Sequence, residues 1–121
     1  MPKPATKYFP EGNYTELDLV SLSYVSDAAE EFGILSLMQM VDQASRRNKT
    51  LNVTGALSFD NGRFGQILEG KPKDVEAIWE SILKDPRHTN IVSLGMKKIN
   101  ARFYCNEQNH REAHAQRQIQ L

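Results

Sequence analysis

The 121-residue chain is short of several things, and each scarcity narrows its class. It has a single cysteine, so no disulfide can form within the chain and nothing points to an oxidising compartment. It has no surplus of either charge: 15 Lys and Arg offset 15 Asp and Glu, whereas a general nucleic-acid binder carries a basic excess. Its apolar runs are a few residues long, far below the ~20 that a membrane helix requires. The stretch from Met1 to Glu16 lacks the apolar centre of a signal peptide, and a cytoplasmic protein is expected. Two phosphate cradles, the G-x-G-x-x-G turn and the P-loop, are missing, as is the G-x-S-x-G nucleophile elbow. Cys105, His110 and His114 have a C-x4-H-x3-H spacing, but three ligands fall short of the four of a structural zinc site, and they lie in a polar tail. Neither an enzyme nor a metal site is expected. What remains is 40% hydrophobic and 25% charged, ordinary for one globular domain with its own core.

Residues 1–16 carry three prolines and no periodicity, and read as an irregular arm. From Leu17 to Ser26 the apolar residues Val20, Leu22 and Tyr24 alternate with Ser21 and Ser23, the period of a half-buried strand. At Ile34 the period changes. Ile34, Leu37, Met38, Val41 and Ala44 share one helical face, and Asn48 extends it by seven residues from Val41. Gly55 to Phe59 and Arg63 to Glu69 form a hairpin about Asp60-Asn61-Gly62, because Asn-Gly tolerates the positive φ of a tight turn. Pro72 suits the first turn of a second helix with the apolar face Val75, Ile78, Trp79, Ile82 and Leu83, stopped at Asp85-Pro86. Ile91 to Met96 and Arg102 to Cys105 read as fourth and fifth strands, and residues 106–121 as a polar tail. The order β-α-β-β-α-β-β predicts a ferredoxin-like α+β fold, a mixed sheet with two helices on one face.

Parity and helical period direct one phenol and two carboxamides, Tyr24, Gln66 and Asn48, toward the apolar layer between sheet and helices. A buried polar group without a partner costs about 1–3 kcal/mol, so these three must bond to something. One solution is to bond each other and nearby loop backbone. The other is a planar, mostly apolar ligand with carbonyls and ring nitrogens, which carboxamides satisfy as both donors and acceptors.

Four segments, in order, resemble the BLUF domains, blue-light sensors using FAD. Asn48 to Leu57 resembles their N-x(5)-T-G-x-L stretch, Gly62 to Gly70 their G-x-F-x-Q-x-L-E-G hairpin arm, and Asp85 to His88 their D-x-R-H segment. Leu19 to Ser26 resembles their first strand with its tyrosine. The resemblance implies a flavin-binding domain over residues 17–105, with FAD held non-covalently. Tyr24 would be the electron and proton donor, and Gln66 the switchable amide between Tyr24 and the flavin edge. Asn48 would hold the carbonyl and imide edge, Arg87 would reach a carbonyl from the other side, and His88 and Arg47 would lie beside the ring. It further implies a light signal passed to a partner protein by rearrangement of the Tyr24-Gln66-flavin network, with no membrane or direct nucleic-acid contact. A homo-oligomer is expected because such a sheet leaves an edge or face to cover.

Three features depart from that pattern. Asn106 and Gln108 stand where the family has a W-x-M pair, Ala44 stands where it often has a hydroxyl, and its C-terminal helices are reduced to residues 106–121. The tail is therefore expected to be exposed and to respond weakly to light. The competing reading is a light-insensitive, flavin-free interaction module of the same fold.

Overall fold

The computed structural model describes residues 14–29, 33–104 and 118–120. The period-two segment becomes β1 (Leu19–Ala28), in which Val20, Leu22, Tyr24 and Ser26 are buried and the odd-numbered neighbours half-buried. It is followed by α1 (Ile34–Thr50), β2 (Thr54–Asp60), β3 (Arg63–Gly70), α2 (Pro72–Leu83), β4 (His88–Ile99) and β5 (Gln118–Gln120). The β2–β3 hairpin turns as its sequence requires, with φ of 53° at Asn61 and 75° at Gly62. Pro72 opens α2, where its missing N–H leaves no bond unmade.

The strand order is β4-β1-β3-β2-β5, which is the ferredoxin-like arrangement with an added edge strand. Every described pairing is antiparallel, so the expectation of a mixed sheet is corrected. Each helical crossover joins strands that are not neighbours. β3 lies between β1 and β2, and β1 between β3 and β4, so parallel partners never touch.

The helices cover one face. Val20, Leu22, Tyr24, Leu68 and Met96 pack under Val75, Ile78, Trp79 and Ile82 of α2. Leu57 and Phe64 pack under Met40 and Ala44 of α1. Full burial of each Leu, Val or Ile here contributes about 1.5–3 kcal/mol. The apolar stripe of α1 is rotated from the expected one: Met40, Ala44 and Asn48 are buried, while Ile34 and Met38 are 68% and 60% exposed. The apolar pattern of α1 is thus wider than the strip its neighbours cover, and the contacts of Leu57 and Phe64 choose which part is used. Gly55 is required by close approach, since a Cβ there would stand 2.0 Å from the Ile67 carbonyl oxygen across the hairpin.

The fifth strand is also corrected. Residues 102–104 form no strand, and Cys105 lies outside the described residues. Their backbone donors are taken by a side chain instead: the Glu69 carboxylate accepts from the N–H of Phe103 at 2.8 Å and of Tyr104 at 3.0 Å. Arg102 donates to the Glu69 carbonyl at 2.9 Å and to Thr54 Oγ1 at 3.1 Å. The additional strand is Gln118–Gln120, which pairs with β2 and satisfies that edge. So the end of the polar tail joins the sheet, while Asn106, Gln108, His110 and His114 lie outside the described residues, as do residues 1–13 of the arm. Tyr14, from the described end of the arm, donates from its hydroxyl to the Met96 carbonyl at 2.8 Å. No described helix is long and apolar enough to cross a membrane.

Candidate functional site

Register makes the centre of the site. Tyr24 of β1 and Gln66 of β3 are direct cross-strand partners, and Leu57 of β2 is the next residue in that row. Directly paired side chains on one face start about 4.5–5.5 Å apart, within reach of a phenol and a carboxamide. The Tyr24 hydroxyl donates to Gln66 Oε1, with the two residues 1% and 5% exposed. Two rings pack against Tyr24, that of Trp79 with centroids 5.4 Å apart and that of His88 edge-on at 6.0 Å. Such ring pairs add about 0.5–1.5 kcal/mol beyond area burial, so the phenol has one position. Burial pushes its ionisation far above that of a free tyrosine, the Arg47 charge opposing this and the Asp85 charge adding to it. It keeps its proton at neutral pH.

This pair forms part of the wall of a cavity of about 270 Å³ between the two helices and the sheet. That is well beyond the ~30 Å³ share of one water. Met40, Gln43, Ala44 and Arg47 of α1, Leu57 of β2, and Ser81 and Ile82 of α2 also line it. Asp85, Arg87 and His88, from the turn after α2 into β4, complete it. Five of the six residues singled out from the sequence, Tyr24, Gln66, Arg47, Arg87 and His88, thus share one cavity.

Asn48, the sixth, does not line that cavity, and stands behind Arg47, whose Nε donates to Asn48 Oδ1 at 3.3 Å. It is 1% exposed, and its Nδ2 has no hydrogen-bond partner among the described residues. A buried amide donor left unpaired is costly, and acceptance by a ligand carbonyl would remove that cost.

Arg87 is committed elsewhere in this structure. Its guanidinium grips Asp85 at 2.8–3.2 Å, in a partly buried ion pair. Burial alone would raise the Asp85 carboxyl, but the hydrogen bonds and charge of Arg87 outweigh it, and the net direction is down. Arg87 is held above its ordinary value by the same pair, against the effect of burial. Arg47 is lowered, chiefly by burial, with Tyr24 and Asp85 opposing. His88 is also lowered, chiefly by burial, and is neutral.

Sequence reasoning missed Asp85 as a holder of Arg87, although an i, i+2 Asp-Pro-Arg spacing was in view. It missed Ser26, whose even parity with Tyr24 was the available signal. It missed Glu69, because no pattern marks a carboxylate that clamps a segment 34 residues later. No group of three or more potential metal ligands occurs among the described residues.

A family model for sensors of blue-light using FAD, the BLUF family, matches residues 19–110. A photoactivated adenylate cyclase subunit beta from Euglena longa is 41% identical over 87 residues, covering 71% of this chain and 10% of that one. The blue light- and temperature-regulated antirepressor BluF of Escherichia coli (strain K12) is 41% identical over 76 residues, covering 63% of this chain and 19% of that one. Among solved structures, the dark state of the BLUF protein BlrB superposes with a TM-score of 0.66 at 31% identity, covering 73% of this chain and 67% of that one. The chain thus spans about a tenth and a fifth of the length of the two curated relatives.

Proposed function

This chain belongs to the BLUF family, and on that premise we propose that it is a blue-light photoreceptor domain that binds FAD without a covalent bond and signals through Tyr24 and Gln66. The observation that carries the reading is a redox-active phenol hydrogen-bonded to a buried carboxamide on the wall of a cavity whose lining residue Arg47 donates to Asn48.

The residues suit the group. Asn48 Nδ2 offers a buried donor with no partner among the described residues, and Arg47, Arg87 and His88 border the cavity. A bound flavin would supply absorption of blue light and, once excited, oxidising power. Tyr24 holds the proton and electron to be given up, its proton already directed at Gln66 Oε1. Gln66 has no further partner among the described residues, so its amide end is available to the ligand. A carboxamide has near-isosteric O and N ends, so it can exchange acceptor for donor without moving the backbone. That makes a two-state element whose population light can bias. Leu57, Ile82 and Met40 help exclude water from the wall of the cavity, where a polar network is strengthened by low dielectric. None of these roles turns over a substrate, and a sensor rather than an enzyme is our reading. The names of the longer relatives, a photoactivated cyclase subunit and a blue light-regulated antirepressor, couple light to an output activity, and for this chain we read that output as belonging to a partner protein.

An absorption spectrum of the purified protein before and during blue light tests this. Yellow protein that red-shifts reversibly supports it. Colourless protein that takes up no added FAD would establish the flavin-free interaction module instead.

A further inference from the structure

Ser26 and His88 form a buried pair that the proposed function leaves without a role. Ser26 is the last buried residue of β1, 0% exposed, and its Oγ lies 2.8 Å from His88 Nδ1. His88 opens β4 opposite Ala28, with its ring against Phe64 at 4.8 Å and edge-on to Tyr24 at 6.0 Å. It is 8% exposed and lines the cavity. Among the described residues, Ser26 Oγ has no second partner and His88 Nε2 has none at all. Nε2 is not among the sealed, unpartnered polar atoms of the described residues, and the ring that carries it is part of the cavity lining.

Hydrogen-bond accounting selects one arrangement. If Nδ1 carried the ring proton, the Ser26 hydroxyl would have to accept. Its own hydrogen would then be buried with no acceptor, and an unmade donor is the expensive outcome. If the hydroxyl donates to Nδ1, the one buried donor is used, and the proton of the neutral ring sits on Nε2. The surroundings favour a neutral ring. Burial, with the charges of Arg87 and Arg47, opposes protonation, and Asp85 alone pulls the other way; Tyr24 faces the ring as a neutral phenol.

We propose that Ser26 is a positioning residue that locks His88 in the Nε2–H tautomer, making His88 a hydrogen-bond donor toward an acceptor atom of the ligand in the cavity. The ligand half of this statement rests on the flavin reading, and the tautomer half does not.

Nitrogen-15 NMR of the imidazole in flavin-free protein near neutral pH reads the tautomer directly. The expected signature for His88 is an unprotonated, pyridine-like Nδ1 and a protonated, pyrrole-like Nε2. A protonated Nδ1 in the unmutated protein would overturn the proposal with no variant needed. Ser26→Ala is expected to shift His88 to a mixture of tautomers and to weaken FAD binding in the dark by about fivefold, the loss of one hydrogen bond's organisation. An unchanged tautomer in Ser26→Ala would mean that Ser26 only fills space. If unmutated protein shows the Nε2–H tautomer yet takes up no FAD, the photoreceptor reading and the ligand half fail together, and the tautomer half stands.

Discussion

The two faces of the β1–β3 pair carry polar groups that are handled in opposite ways. On the face covered by the helices, Tyr24 and Gln66 bond to each other. Under the same helices, Asn48 Nδ2 and His88 Nε2 have no partner among the described residues. On the other face, Glu69 is 3% exposed and accepts from Thr54 Oγ1 at 2.9 Å as well as from the N–H groups of Phe103 and Tyr104. Three of its roughly four acceptor sites are thus filled within the chain, with both oxygens engaged. The same strand, β3, supplies Gln66 to one face and Glu69 to the other, so backbone type does not explain the difference. What differs is surplus: a buried polar cluster bonded within the chain builds structure, and one with spare donors beside a cavity builds a site.

The largest effect should come from removing the phenol. Tyr24→Phe keeps the ring between Trp79 and His88 and is expected to retain bound flavin in the dark, yet to lose the light-induced red shift entirely. Absorption spectroscopy checks this, and a normal photocycle in the variant would remove Tyr24 from its role.

Breaking the bonded side should do the reverse. Glu69→Ala strips the acceptor from two backbone donors and a hydroxyl, and is expected to cost about 2–3 kcal/mol of stability in urea unfolding. The absorption spectrum of the folded fraction, dark and lit, is expected to stay unchanged. A variant of full stability but altered spectrum would invert the comparison.

Asn48→Ala sharpens the contrast. Because Nδ2 has no partner among the described residues, flavin-free stability should hardly move, whereas FAD affinity is expected to fall by about 1–3 kcal/mol. Calorimetric titration beside a thermal melt separates the two. Loss of stability with unchanged affinity would make Asn48 an ordinary helix-end residue.

The smallest effect concerns pH. His88 sits below its ordinary value of about 6.5 in the folded state, so the unfolded chain binds the proton first as pH falls. Its contribution to stability is therefore complete above that value and is lost as pH drops toward the folded value. Asp85 is lowered too, but its contribution is lost only once pH falls into the ordinary carboxylate range and below. The urea midpoint of flavin-free protein is expected to fall between pH 7.5 and 5.5, and the fall to shrink in His88→Asn. Equal slopes in both proteins would assign the effect to other groups.

Much of this was legible in advance, for local reasons. Alternation in Leu17 to Ser26, the Asn61-Gly62 turn and Pro72 each act over a few residues, and their elements appear, with β1 shifted two residues on to Leu19–Ala28. The misplacements lie where local preference yields to partners. β4 runs to His88 and Ile99, beyond the expected Ile91 to Met96, because β1 offers it a ladder as far as Ala28 and Leu19. Residues 102–104 have strand-like composition but find a carboxylate before they find a strand. Within the site, Tyr24 and Gln66 were identifiable because parity is a property of one strand at a time. The tie of Arg87 to Asp85 and the position of Asn48 behind Arg47 depend on side-chain geometry, which spacing does not carry.

By itself, the sequence determined which side chains each strand would turn inward and that each helix would carry an apolar side, since a period of 2 or 3.6 follows from backbone geometry alone, while the part of the α1 face that is covered was decided by Leu57 and Phe64. It thereby determined that a phenol and two carboxamides would enter the core. Tertiary structure decided that Tyr24 faces Gln66. The two are 42 residues apart, and a slip of one residue in the β1–β3 register would turn one of them to the opposite face. That register depends on the summed burial of Val20, Leu22, Leu68 and Phe64 under both helices, a quantity belonging to the whole sheet and to no single segment.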